Sequence, residues 1–354
     1  MSFTQLLEHS RRYGADSSYV LLGGGNTSCK EEGILYVKAS GHALATIGAD
    51  GFVRMDLSKM EKIWSKQYSS DDEKREEEVL SFMMECRLEG ESARPSVEAL
   101  LHALLPFRYV IHLHPALVNG ITCAQEGKEA VARLFENAIW IDLVKPGFIL
   151  ANVVRKEMEK QLSSLIFLQN HGIFVGGDTL EEIDEIYRLV MQSIEQKLIR
   201  KPDFSELAIL EQEKVEKTKA ELASYSQCAV QVAWNKEFAR CLADESSFYP
   251  VSSAFTPDHI VYAGFKPLYV HKDENVLEAC KTYASEYGVQ PKIVCVQELG
   301  VFSLGEKPMP LFLDSVAISV YTESFGGPRF MDDAMIDFIR NWEVEKYRAQ
   351  VAST

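Results

Sequence analysis

Short apolar runs, bounded by glycines and polar turns, alternate with segments of helical periodicity as far as Pro202. The pattern predicts strands over residues 19–22, 34–38, 51–55, 109–114, 138–142, 165–168 and 173–177. It predicts helices over 2–13, within 56–89, from an N-cap at Ser96, and over 116–124, 127–135, 149–162 and 179–200. Alternation of this kind is typical of a mixed α/β domain.

The pattern changes after Pro202. Helices are predicted over 204–224, 227–243, 274–287, 310–322 and 332–351, with strands at 268–270, 292–296 and 301–304. We therefore predict a first domain over 1–202 and three further parts: a helical connector over 203–250, a small α/β region over 251–330 and a C-terminal helix over 331–354.

Acidic residues outnumber basic ones, with 52 Asp and Glu against 37 Lys and Arg, which gives a net charge of −15. This balance argues against nucleic acid or an anionic membrane as partner, but it permits a local basic pocket for a phosphate.

The seven cysteines are scattered without C-x-x-C spacing, as in a reducing compartment. No secretory leader pattern opens the sequence, and no apolar run approaches the roughly 20 residues of a membrane span. We expect a cytoplasmic protein.

His112 and His114 end an apolar run and are followed by Pro115. Alternate residues of a strand point to the same face, so both imidazoles are expected on one side of the sheet, with Leu113 on the other. Proline cannot donate to a strand ladder, so the strand is expected to stop at the rim of the sheet. The segment therefore predicts two histidine ligands for one metal ion.

Glu98 and His171 each have a structural and a chemical interpretation, and the sequence leaves both open. Glu98 follows the predicted N-cap Ser96. There it is either an acidic residue that the helix dipole stabilises or a group that acts beside a metal. Glu98 and His102 share one helix face, a spacing that metal sites also use. His171 interrupts two apolar runs, where it is either a hydrogen-bonded core histidine or a third ligand.

A run of three glycines at residues 23–25 precedes short polar side chains. The run is either a tight hairpin turn or a turn that lets the backbone approach a ligand. If the strands on either side pair, a small cradle for an anion would form from Asn26, Thr27, Lys38, Ser40 and Gly41.

Catalytic zinc sites combine three protein ligands, often histidines, with one open position. His112, His114 and His171 supply such a set, and Glu98 is a candidate fourth ligand or a base beside the metal. We therefore predict Zn²⁺, or another divalent metal, as the cofactor.

Five ordered motifs resemble those of the class II aldolase and adducin family. They are G-N-T-S at 25–28, K-x-S-G at 38–41, P-S-x-E-x-x-x-H at 95–102, H-x-H-P at 112–115 and N-H-G-x-x-x-G at 170–176. The similarity extends from about residue 22 to residue 196. Later segments at 256–260, 298–305 and 342–348 resemble the aldolase half of bifunctional rhamnulose-1-phosphate aldolase/alcohol dehydrogenases.

The resemblance implies a fold and a set of residue roles. The implied fold is an αβα sandwich around a mixed, largely antiparallel sheet, with a smaller C-terminal α/β region. The implied zinc ligands are His112, His114 and His171, and Glu98 would contact the metal and then serve as the catalytic acid and base. The residues that the resemblance places at the substrate phosphate are Asn26, Thr27, Ser40, Gly41 and Ser96, with Lys38 beside them.

The implied reaction is cleavage of a deoxy-ketose 1-phosphate, such as rhamnulose 1-phosphate, to dihydroxyacetone phosphate and an aldehyde. Glu98 would move a proton on the three-carbon product, a task that favours a carboxyl pKa raised by desolvation. Val97 stands where simpler members have a second phosphate-binding serine. The alternatives are epimerisation, dehydration or decarboxylation at the same metal, or a non-catalytic adducin-like protein. A homo-oligomer acting on a small sugar phosphate is expected.

Overall fold

The computed structural model describes residues 2–342, which divide into two units. Of the described residues, the first unit contains 2–122, Lys128–Gln196 and 341–342, and the second contains Cys123–Gly127 and Lys197–Arg340. Each unit is built on its own β-sheet.

Strands and helices alternate through the first unit. Its strands are β1 (Asn26–Glu31), β2 (Ile34–Lys38), β3 (Phe52–Asp56), β4 (Tyr109–Leu113), β5 (Ile139–Ile141), β6 (Leu165–Leu168) and β7 (Gly172–Gly177). Its helices are α1 (Ser2–Ala15), α2 (Leu57–Glu61), α3 (Asp72–Glu85), α4 (Ala99–Leu104), α5 (Ala116–Thr122), α6 (Gly127–Leu134), α7 (Phe148–Lys160) and α8 (Leu180–Glu195).

The sheet of the first unit has seven strands in the order β3-β2-β1-β4-β7-β6-β5. Neighbouring strands are antiparallel except β5 and β6, which run parallel. In β1, Asn26 lies opposite His112 of β4, and Ser28 lies opposite Val37 of β2. This register places the polar start of β1 beside the first histidine of the H-x-H motif.

Helices cover both faces of this sheet. Successive strand residues point to opposite faces. The hydroxyl of Thr27 lies 2.8 Å from that of Ser10 in α1, whereas the hydroxyl of the next residue, Ser28, lies 2.7 Å from Nδ1 of His102 in α4. The first unit is therefore a mixed α/β sandwich around a mainly antiparallel sheet, which confirms the predicted fold class.

Two predictions for the first unit are wrong. Residues 19–22 form turns rather than a strand, because Leu22 has a left-handed φ of 50° and β1 begins only at Asn26. Helix α4 begins at Ala99, so Ser96 is not its N-cap; the Ser96 hydroxyl instead accepts a hydrogen bond from the backbone N–H of Glu98 at 3.2 Å. Glu98 therefore precedes the helix.

The second unit contains a four-stranded sheet in the order β8-β11-β10-β9. Its strands are β8 (Val230–Ala233), β9 (Leu268–Val270), β10 (Ile293–Val296) and β11 (Gly300–Leu304). Its helices are α9 (Gln212–Ser226), α10 (Lys236–Cys241), α11 (Glu245–Phe248), α12 (Val276–Tyr287), α13 (Pro308–Thr322) and α14 (Asp333–Asn341), and a π-helical turn spans His259–Ala263. Strands β9 and β10 are parallel, and the other pairs are antiparallel.

The helix predicted over 227–243 is wrong in its first part. The β-branched Val230 and Val232 lie in β8, and the side chain of Asn235 then caps α10 by accepting the N–H of Phe238 at 2.9 Å. The segment predicted as a helical connector thus contributes a strand to the second sheet.

The helix predicted over 332–351 is present as α14, and residues 343–351 lie outside the described part. Among residues 2–342, no helix has both the length and the apolar character that crossing a bilayer requires.

Candidate metal centre

Three histidine side chains converge where β4 ends and β7 begins. Nε2 of His112 lies 2.8 Å from Nε2 of His114 and 3.4 Å from Nε2 of His171. The three potential ligand atoms all lie within 4.8 Å of one another. The structure thus brings together the three histidines that the sequence predicts as ligands, although β4 itself ends at Leu113.

His112 is fully buried and fixed on two sides. Its Nδ1 lies 2.9 Å from the carbonyl oxygen of Ile173, and its ring stacks on that of Phe174 with centroids 4.0 Å apart. A carbonyl can only accept, so Nδ1 carries the proton and Nε2 turns its lone pair toward the other imidazoles. Metal-binding histidines are commonly oriented in this way.

The turn between β6 and β7 delivers His171 to the cluster. Asn170 adopts a left-handed φ of 55°. At Gly172 a Cβ atom would lie 2.5 Å from the carbonyl oxygen of Leu113 and 2.7 Å from Cδ2 of His114. Glycine is therefore required at residue 172 by the close approach of β7 to the H-x-H segment. The sequence signal for this constraint is the N-H-G motif.

Glu98 faces the histidine cluster from the segment before α4. Its Oε1 lies 3.3 Å from Nε2 of His112 and 3.2 Å from Nε2 of His171. Its Oε2 accepts a hydrogen bond from Nδ2 of Asn26. Glu98 is 7% exposed, so this carboxyl group has little contact with water.

Two opposing effects act on the pKa of Glu98. Burial disfavours the charged carboxylate, but His112 and His171 outweigh burial and hold the pKa well below its ordinary value. The expectation of a raised pKa is therefore wrong for this arrangement, because two imidazoles lie beside one carboxylate oxygen. Glu98 is ionised, which is the form that can ligate a metal or accept a proton.

His102 does not join the cluster, although it shares a helix face with Glu98 in the sequence prediction. It is fully buried, and burial lowers its pKa to about 3. Its Nδ1 contacts the hydroxyl of Ser28, and its ring lies edge-on to Phe174 at 5.5 Å. His102 thus supports Phe174, the residue on which His112 stacks. Phe174 has no sequence signal of its own, because its pattern is that of any apolar residue in a strand.

The donor set fits a divalent metal ion. Oε1 of Glu98 is buried without a hydrogen bond of standard geometry to any described residue, and it faces the nitrogens of the histidine cluster. Buried polar atoms need a partner, and a cation held by the three nitrogens would supply one. Imidazole and carboxylate ligands suit Zn²⁺ and related divalent ions. The cluster could therefore hold a metal, with Glu98 beside it.

Four candidate phosphate-binding residues lie where the end of β2 runs beside the segment before α4. The N–H of Ser96 donates to the carbonyl of Lys38 at 3.1 Å. Lys38 is 3% exposed, and its Nζ donates to the carbonyl of Gly23 at 3.3 Å. Ser40 follows on the same segment, and Gly41 then turns the chain with a φ of 88°. The structure thus brings the K-x-S-G and P-S motifs together around the glycine-rich turn.

Asn26 and Thr27 lie on opposite faces of β1. The side chain of Asn26 is bonded to Glu98, whereas the Thr27 hydroxyl is bonded to Ser10 on the face that α1 covers. The Thr27 side chain therefore points away from the histidine cluster. The contact between Asn26 and Glu98 is not predicted by the sequence, and the phosphate-binding roles of Asn26 and Thr27 stay predictions.

Residues 4–196, more than half of the chain, match the family model described as "Class II Aldolase and Adducin N-terminal domain". The chain belongs to this family. Class II aldolases are metal-dependent, in agreement with a histidine cluster that could bind a metal.

One protein similar to this chain is "Uncharacterized oxidoreductase YuxG" of Bacillus subtilis (strain 168). It is 30% identical over 203 residues, which are 54% of this chain and 29% of that protein. The chain thus spans less than a third of that curated relative.

Two solved structures are also similar. The N-terminal class II aldolase domain of a conserved protein from Thermoplasma acidophilum is 28% identical, with a TM-score of 0.48, over 54% of this chain and 91% of that one. The L-fuculose-1-phosphate aldolase from Thermus thermophilus is 15% identical, with a TM-score of 0.36, over 53% of this chain and 92% of that one.

Proposed function

We propose that this chain is a zinc-dependent aldolase that cleaves a deoxy-ketose 1-phosphate, such as rhamnulose 1-phosphate, to dihydroxyacetone phosphate and an aldehyde. The observation that carries the proposal is the convergence of three imidazole nitrogens beside Oε1 of Glu98, within a class II aldolase domain. A purely structural protein gains nothing from this arrangement, because a buried carboxylate is costly unless it is paired.

His112, His114 and His171 would hold the metal through their ring nitrogens. When bound, zinc supplies a Lewis acid that stabilises negative charge on the oxygens of a ketose. The contact of His112 with Ile173 keeps its proton on Nδ1 and leaves Nε2 available. The stacking of His112 on Phe174 fixes the ring, so the ligand atom is already placed before any metal binds.

Glu98 would perform the proton transfer. In retro-aldol cleavage the C4 hydroxyl loses its proton, the electrons of the C3–C4 bond stay on the three-carbon fragment, and C3 then takes up a proton. An ionised Glu98 can accept a proton and return it to C3. Asn26 holds Oε2 of Glu98, which leaves Oε1 facing the histidine nitrogens, where the substrate would bind.

The phosphate group of the substrate would bind near Lys38, Ser40, Gly41 and Ser96. The ammonium of Lys38 and the two hydroxyls are suitable donors for phosphate oxygens. Asn26 would lie between this group and the metal, since its amide reaches Glu98. We also propose a cytoplasmic homo-oligomer, from the composition and from membership of the family.

A coupled assay tests this function. The zinc-loaded protein is incubated separately with rhamnulose 1-phosphate and fuculose 1-phosphate, and dihydroxyacetone phosphate is followed as NADH oxidation by added glycerol-3-phosphate dehydrogenase. We expect turnover of at least one substrate, and we expect Glu98→Gln to keep its metal and lose most of that turnover.

Other outcomes of this assay would assign another function. If NMR shows interconversion of ketose phosphate epimers without formation of dihydroxyacetone phosphate, the reaction is epimerisation. If the protein binds no divalent metal and converts neither substrate, the proposed function is wrong and the adducin-like alternative is favoured.

A further inference from the structure

A cavity lies in the first unit, and none of its lining residues belongs to the histidine cluster. Its volume is about 580 Å³, within the range of about 300–1,000 Å³ that is typical of small-molecule sites. Its wall comes from α2, α4, α7 and the segment after α2. Its apolar lining includes Met60, Trp64, Leu100, Leu104 and Met158.

The basic residues of this cavity are more buried than its acidic residues. Arg155 and Lys30 are partly buried, whereas Glu61 and Glu159 are exposed at the rim. The guanidinium of Arg155 lies over the ring of Trp64, with Cζ 4.9 Å from the ring centroid. The interior of the cavity is therefore cationic as well as apolar, and its acidic groups face the solvent.

Arg155 lacks an anionic partner in the described part of the chain. Its Nε is buried without a hydrogen-bond acceptor among residues 2–342. Glu159 lies one helical turn away on α7 but forms no ion pair with it. The guanidinium therefore has no counter-ion among the described residues, and an anionic occupant of the cavity would supply one.

Lys30 supplies a second set of donors in the same cavity. Its Nζ donates to the carbonyl oxygen of Leu105, and burial lowers the pKa of Lys30 to about 8. Lys30 is therefore mostly protonated at neutral pH. An ammonium has three donors, so two remain for an acceptor in the cavity.

We propose that this cavity binds a small amphipathic carboxylate, whose head group pairs with Arg155 and Lys30 while its apolar body packs on Met60, Trp64 and Leu104. Methionine side chains adapt readily to different apolar shapes. A sugar phosphate does not suit this cavity, because its hydroxyl groups would face leucine and methionine side chains without partners. The cavity is thus separate from the substrate site proposed above and does not depend on it.

Isothermal titration calorimetry with sodium octanoate on the purified, metal-loaded chain tests the proposal. We expect saturable binding at one site, and binding of octylammonium weaker by about tenfold or more. Arg155→Gln should weaken octanoate binding by about tenfold or more, since it removes the unpaired cation. The matched control is Lys156→Gln, the same charge change at the exposed neighbour on α7, and it should alter binding by less than about twofold.

Ala103→Phe is an independent variant that fills the cavity from α4 without changing the charge, and it should abolish octanoate binding. Circular dichroism melts identify which variants are folded, and if Arg155→Gln does not fold, Ala103→Phe decides. The proposal is overturned if octanoate does not bind the wild-type chain, if Arg155→Gln and Lys156→Gln behave alike, or if Ala103→Phe still binds. It is also overturned if octylammonium binds as well as octanoate. If octanoate fails to bind and light scattering shows that Leu162→Glu at the rim separates an oligomer, the cavity is an interface between copies and the proposal is again overturned.

Discussion

Nδ2 of Asn26 donates a hydrogen bond to Oε2 of Glu98, and Asn26 lies directly opposite His112 in the pairing of β1 with β4. One carboxylate oxygen of Glu98 is therefore held by the strand next to the histidine cluster, while the other faces Nε2 of His112 and of His171. The orientation of Glu98 thus depends on the register of the sheet as well as on the segment before α4.

Asn26→Ala is expected to lower kcat by about 10- to 100-fold while the zinc content stays stoichiometric, because Glu98 loses the donor that orients it. Asn26→Asp should cost more activity, since a second carboxylate would raise the pKa of Glu98. Steady-state kinetics with a ketose 1-phosphate and metal analysis check both outcomes. The control is Asn137→Ala at an exposed position. An Asn26→Ala protein with the kcat of the wild type would show that Asn26 does not position Glu98.

Gly172→Ala is expected to weaken zinc binding and to reduce the free energy of unfolding by about 1–3 kcal/mol. The added methyl group would meet the backbone of Leu113 at 2.5 Å and the ring of His114 at 2.7 Å, so one of them must move. Gly177→Ala in the same strand is the milder comparison, because its Cβ would come no closer than 3.1 Å to Ile183 and 3.2 Å to the carbonyl oxygen of Thr179. Urea unfolding and competitive zinc titration measure the two effects. Unchanged zinc affinity in Gly172→Ala would contradict the prediction.

Glu76 supports the N-terminus of α7 from a buried position. Its Oε2 accepts the N–H of Phe148 at 3.0 Å, and its Oε1 has no hydrogen bond of standard geometry to a described residue. Burial raises the pKa of Glu76 above its ordinary value of 4.5. The folded chain therefore binds this proton more tightly than the unfolded chain does. The stability linked to this proton is fully present below pH 4.5 and is lost as the pH rises through the raised pKa.

The free energy of unfolding of Glu76→Gln, minus that of the wild type, should consequently increase as the pH is raised from about 4 to about 7. The neutral amide avoids the cost of a buried charge at the higher pH. Urea unfolding at a series of pH values measures this difference, and Glu77→Gln at the exposed neighbouring position should show no such trend. A difference between Glu76→Gln and the wild type that does not change with pH would contradict the raised pKa.

The residues of the histidine cluster could be predicted from sequence because their signals are local. The H-x-H-P segment combines strand periodicity with a strand-ending proline, and the N-H-G segment places a histidine between two apolar runs. The structure brings the two segments together, because β4 and β7 are neighbours in the sheet.

The contact between Asn26 and Glu98 could not be predicted, because it depends on which residues of β1 and β4 are opposite each other. The apolar residues 19–22 have strand-like composition, yet Val20 is buried in an irregular segment and Leu22 has a positive φ. Likewise, Val230 and Val232 become a strand only through pairing with β11.

The measurement that tests the proposed function most directly is the formation of dihydroxyacetone phosphate from rhamnulose 1-phosphate and fuculose 1-phosphate by metal-stripped and zinc-restored protein. The stripped protein should lose turnover and regain it with Zn²⁺. His114→Ala should neither bind zinc tightly nor recover, whereas His271→Ala, at an exposed histidine, should behave as the wild type. Full turnover after the metal is removed, or no turnover of either substrate by the zinc-loaded protein, would contradict a zinc-dependent aldolase.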